Sequence, residues 1–116
     1  MRLALILAFL PLPALAGEVE IVGARATMEP GGWRFDVTIR HADTGWEHYA
    51  DEWRIVGPGG VVYGSRRLLH PHVDEQPFTR KLSRVAIPEG VTRVEIEAHD
   101  NVHGWSPKIL ELPLPR

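Results

Sequence analysis

Trp33, Phe35, Val37 and Ile39 alternate with Arg34, Asp36, Thr38 and Arg40. An apolar residue at every second position marks a strand with one face on a core and one on solvent, because successive side chains of an extended chain point to opposite sides. The pattern returns less strictly in Tyr49, Asp51, Trp53 and Ile55, and again in Val94, Ile96 and Ala98 set against Glu95, Glu97 and His99. Four weaker segments, 19–28, 61–69, 78–85 and 105–112, fill the intervals. No window keeps apolar residues at helical spacing, and ten prolines and eleven glycines punctuate the chain, so a helix of ordinary length has nowhere to form. The expected fold is all-β: a single seven-stranded antiparallel β-sandwich.

The amino-terminal segment reads differently. Met1 and Arg2 precede an apolar stretch that closes on Ala14-Leu15-Ala16, immediately before Gly17. A positive charge, a short apolar region and a small-x-small cleavage site are the parts of a secretory signal peptide, assigned here to residues 1–16. Pro11 and Pro13 interrupt the stretch, which is too short for a spanning helix of about 20 apolar residues. Residues 17–116 are then expected to form the β-sandwich domain and to work in the periplasm or as a secreted protein, without membrane attachment after cleavage. The chain has no cysteine. Neither a disulfide nor a lipidated cysteine is available, and a domain of this size must rely on packing alone.

Thirteen basic residues against fifteen acidic ones give a net charge of −2. Nucleic acid and anionic membrane are thereby excluded as expected partners, since both need a concentrated basic surface. The pair Arg66-Arg67 is read as the solvated end of a strand.

The turn Ile87-Pro88-Glu89-Gly90, the alternating strand Val94, Ile96, Ala98 and the exit Gly104-Trp105-Ser106 together resemble the last strands of a fibronectin type III module over residues 82–106. The resemblance implies an immunoglobulin-like or fibronectin type III-like sandwich. Val91 and Thr92 stand where that family usually carries a tyrosine. Residues 70–80, which begin His70-Pro71-His72-Val73-Asp74, are similar to a segment of small exported bacterial proteins.

In an up-and-down alternation, the Gly/Pro turns at 29–32, 57–60 and 88–90 are the first, third and fifth connections and fall at one end. The second, fourth and sixth connections share the opposite end. They hold His41, His48, His70, His72, His99 and His103, all six histidines of the chain, together with Asp43, Glu47, Asp74, Glu75 and Asp100.

Imidazoles brought together from separate loops point to a divalent metal. His70 and His72, two apart on an extended chain, share a side, and His99-x-x-x-His103 has a spacing used by zinc sites. The expected ligands are His70, His72, His99 and His103, with His48 as a further ligand and Asp74 or Asp100 as ligands or orienting acceptors. Imidazole and carboxylate without thiolate favour Cu(II) or Zn(II), and Met28 lies at the wrong end to offer a thioether. The expected partner is the metal ion itself or a periplasmic protein. The alternative is a metal-free accessory module that recognises protein or glycan through the same loops. Ser65, Ser83 and Ser106 lack a nucleophile-elbow context, and Gly57-Pro58-Gly59-Gly60 runs into a strand rather than a helix, so no catalytic residue is expected.

Overall fold

A computed structural model describes residues 17–116. The signal peptide assigned to residues 1–16 lies outside the described residues. Eight strands follow in order: β1 (Glu20–Glu29), β2 (Gly32–Arg40), β3 (Ala50–Val56), β4 (Val62–Arg67), β5 (Phe78–Val85), β6 (Arg93–Asp100), β7 (Gly104–Trp105) and β8 (Leu110–Pro113). They build two antiparallel sheets. One runs β1-β2-β5; in the other the order is β4-β3-β6, with β7 and β8 both paired to β6.

Eight strands rather than the expected seven is a correction, and it falls in the segment 105–112. β7 pairs with the end of β6 through His99–Trp105 and Asp100–Gly104, whereas β8 pairs with its beginning, from Ile96–Leu110 to Arg93–Pro113. Pro107 stands between the two halves. It has no N–H to give a ladder and divides what would otherwise be one edge strand. Ser106 bridges the break by donating its N–H to the Ala98 carbonyl at 2.8 Å, while its own hydroxyl accepts the Lys108 N–H at 3.1 Å.

β1 and β2 meet in a two-residue turn, Pro30-Gly31, closed by the pair Glu29–Gly32. Proline supplies the negative φ of the first corner, and Gly31 takes the second at φ 103°, a left-handed value that side chains resist.

The alternation of β2 drives Trp33, Phe35, Val37 and Ile39 into the interior, and Trp53 and Ile55 of β3 meet them with Val94, Ile96 and Ala98 of β6. These are the residues at the apolar phase of the three clearest strands, and all are essentially inaccessible. Val19, just ahead of β1, is also fully buried and pins the start of the described chain to the core.

Register fixes which loops share an end. Ile39 pairs with Phe78, Glu52 with Arg67 and Ala50 with Asp100. The connections 41–49, 68–77 and 101–103 therefore gather at one end, with all six histidines at or beside them.

Candidate metal centre

Two strands overrun their apolar phase into polar residues that remain inside. After Trp33, Phe35, Val37 and Ile39, the next position in the inward phase is His41, one residue past the end of β2; after Val94, Ile96 and Ala98, the next inward position of β6 is Asp100. His41 is 3% exposed and Asp100 is 0%. A buried ionisable side chain is costly unless it is paired, and the pairing here is extensive.

Asp43 lies behind His41. Its Oδ1 accepts from His41 Nδ1 at 2.6 Å and from the Ala50 N–H at 3.0 Å, while Oδ2 accepts the His72 N–H at 2.7 Å. One carboxylate thus joins the end of β2, the start of β3 and the 68–77 loop. Burial alone would raise its pKa, but the hydrogen bonds from His41, His72 and Ala50 outweigh that and hold it below the ordinary carboxylate value. For His41 the burial penalty is likewise overcome, by the Asp43 hydrogen bond and charge, the Gly17 carbonyl and Asp100, so its pKa is raised.

Asp100 accepts the N–H groups of Val102 at 2.8 Å and of His103 at 2.7 Å, and its carboxylate lies 3.2 Å from His103 Nδ1. These contacts overcome the upward push of burial and keep its pKa low. Asn101, next in the turn, accepts the Tyr49 N–H at 2.8 Å and donates to the Trp46 carbonyl at 2.9 Å, which fastens the 41–49 loop over the end of β6. Within that loop Thr44 donates its N–H to the His48 carbonyl at 3.0 Å and His48 donates its own N–H to the Gly45 carbonyl at 3.2 Å, a tight turn that leaves the His48 ring facing Asp100.

The convergence is tight. His41 Nε2 lies 3.9 Å from Asp100 Oδ2, and His48 Nε2 lies 3.3 Å from Asp100 Oδ1. One ligand atom from each of His41, His48 and Asp100 falls within 4.8 Å of the others. His48 Nε2 is buried without an aligned hydrogen-bond partner. Ligands about 2.0–2.2 Å from a tetrahedral ion sit about 3.3 Å from one another, so only small side-chain shifts separate this arrangement from coordination. With an ion bound, the Asp43–His41 contact would keep the proton on Nδ1 and leave Nε2, which lies 3.2 Å from the Gly17 carbonyl oxygen, as the coordinating nitrogen. His103 borders the group, its ring 5.1 Å from that of His48.

The residues expected from the sequence fall in four places. His48, His103 and Asp100 belong to this cluster. His70 and His72 form a separate pair with ring centroids 4.5 Å apart; His72 stacks on Phe78 at 3.8 Å and accepts from Arg80 at its Nε2, 2.8 Å away. Burial, together with the charges of Arg80 and His70, lowers the His72 pKa. His99 occupies the outer phase of β6, where its Nδ1 bonds Asp51 at 2.6 Å and its ring meets Trp105 edge-on. Asp74 is exposed on the 68–77 loop.

His41, which the sequence reading left outside its ligand set, is the member that completes the group. Its signal was present in the phase of β2: position 41 continues the inward series 33, 35, 37, 39.

Over 82 residues, 68% of its length, the chain is 40% identical to a protein of Halomicrobium mukohataei named "Putative lipoprotein". The chain spans about 40% of the length of that relative. No protein-family profile matches the chain, and no solved structure does.

Proposed function

We propose that this is an exported β-sandwich protein that binds a divalent transition metal, Cu(II) or Zn(II), through His41, His48 and Asp100, with His103 at the margin. The observation that carries the reading is the buried meeting of two imidazole Nε2 atoms with one carboxylate, backed by the Asp43–His41 pair. Three protein ligands leave a position open on a four-coordinate ion, which suits capture and release better than a closed structural site. Two buried carboxylates, Asp43 and Asp100, stand at the cluster, and a divalent cation would offset their charge.

Export is supported by the signal-like residues 1–16 and by the name of the relative. An immunoglobulin-like or fibronectin type III-like sandwich is supported by the strand order β1-β2-β5 against β4-β3-β6 and by Trp53, a buried tryptophan on the third strand.

A second reading has its own observation. Trp46, Leu69, Val73 and Val102 are 64%, 74%, 52% and 57% exposed on the loops around the cluster, an apolar rim of the kind recognition surfaces use. Under this reading the loops hold a protein or glycan and the histidines only brace them.

Calorimetric titration of residues 17–116 with Cu(II) and Zn(II) separates the two. Stoichiometric binding at micromolar concentration that disappears in H41A/H48A, with circular dichroism confirming that the variant is folded, supports the metal site. Absence of binding in the parent protein assigns the end to recognition.

A further inference from the structure

The start of the described chain lies on the cluster. The Gly17 carbonyl oxygen is 3.2 Å from His41 Nε2, the same nitrogen that faces Asp100. On its other side Gly17 abuts His103: a Cβ built there would stand 3.3 Å from His103 Nε2 and 3.4 Å from Cε1. Two residues later Val19 is 0% exposed in the core, and β1 starts at Glu20. Gly17 is therefore held between two imidazoles of the site by an anchored strand.

The sequence places a signal-peptidase cut immediately before this residue, after Ala14-Leu15-Ala16. Hydrolysis of the Ala16–Gly17 peptide consumes one water, leaves a carboxylate on Ala16 and frees the α-amino group of Gly17. That nitrogen is bonded to the same Cα, about 1.46 Å away. In the uncleaved chain it is an amide, whose lone pair is delocalised into the carbonyl and which is a poor ligand. After cleavage it is an amine, and amine and carbonyl oxygen of one glycine can close a five-membered chelate ring.

We propose that the α-amine and carbonyl oxygen of Gly17, released by signal cleavage, chelate the ion held by His41 and His48, so that the site is completed by export. The inference rests on the metal-binding reading above and adds its ligand set and its timing. Amine plus imidazole donors favour Cu(II) over Zn(II) in the order of divalent affinities. The precursor inside the cell would lack this chelate and take copper poorly.

The test compares Cu(II) binding by protein beginning at Gly17 with two blocked forms, one Nα-acetylated and one carrying a short Gly/Ser extension ahead of Gly17. Residues 17–116 hold all eight strands and the core, so each form is expected to fold. Both blocked forms should bind about tenfold or more weakly, equivalent to about 1.4 kcal/mol. Pulsed EPR of the free-amine protein labelled with 15N-glycine should show a directly coordinated 15N that both blocked forms lack. Weakened binding without a coordinated 15N in the free-amine protein would overturn the inference as a steric effect. Equal affinity in all forms, abolished by H41A/H48A, would overturn it and leave the histidine site standing. No Cu(II) binding by any form would overturn both.

Discussion

His41 Nδ1 and Asp43 Oδ1 lie 2.6 Å apart with both side chains fully buried. Because the aspartate pKa is held low and the histidine pKa raised, the proton stays on the imidazole and His41 reaches the cluster as a donor on its Asp43 side. The contact joins a strand end to its loop and at the same time orients Nε2.

Removing Asp43 should therefore cost both stability and affinity. D43A would leave His41, Ala50 and His72 without their common acceptor, and loss of one partner of a buried ion pair typically costs about 3–5 kcal/mol. D43N, which keeps the shape, should cost less stability but lower metal affinity about 10–100-fold, as loss of an orienting carboxylate does. Urea denaturation and calorimetry read the two effects separately; full affinity in D43N would mean that Asp43 does not position the ligand.

Metal binding should weaken as pH falls, and sooner than an ordinary histidine would dictate. The ion must displace the proton from His41 Nε2, and the raised pKa of His41 means that protons compete effectively above the usual 6.5. Apparent affinity at pH 7.5 should exceed that at pH 5.5, with proton release visible as a dependence of the heat on buffer ionisation. A flat affinity between these values would exclude His41 as a ligand.

Acid should unfold the metal-free domain through two carboxylates. Asp43 and Asp100 have folded pKa values below the ordinary 3.8, so their contribution is complete above about pH 4 and is lost as pH falls through the folded values. Urea midpoints measured from pH 5 downward should drop steeply in the parent and less steeply in D100N. Parallel curves would show that Asp100 carries no proton-linked stability.

The geometry also separates the histidines by position. H70A combined with H99A should leave Cu(II) affinity within about twofold, since each ring is engaged away from the cluster, whereas H41A/H48A abolishes it. A large loss in the H70A/H99A protein would shift the site toward those residues.

Trp53 is buried at the centre of β3, and W53A should lower stability by about 3–5 kcal/mol, the usual cost of truncating a core aromatic. A thermal or urea measurement showing under about 1 kcal/mol would place the indole outside the core.

Much of this architecture was legible in one dimension. The period of two in Trp33, Phe35, Val37 and Ile39 determines an extended segment and its buried face, because side-chain direction along a strand is a local property of the backbone. Breakers such as Pro30-Gly31 determine where the strands stop, and through the alternation of connections they determine that all six histidines gather at one end. Tertiary structure decided which of them meet. His99 and Asp100 are neighbours in sequence, yet the pleat sends one to Asp51 on the outer face and the other inward to His41 and His48. His70 and His72 share a side, as their spacing predicts, but Phe78 and Arg80 from the following strand occupy that side first. Pro107 split the last strand because a missing N–H matters only once β6 lies alongside to receive it. Gly17 comes to lie against the cluster for a similar reason: Val19 is drawn into a core built by residues far along the chain, and the residue two places before it is carried onto His41.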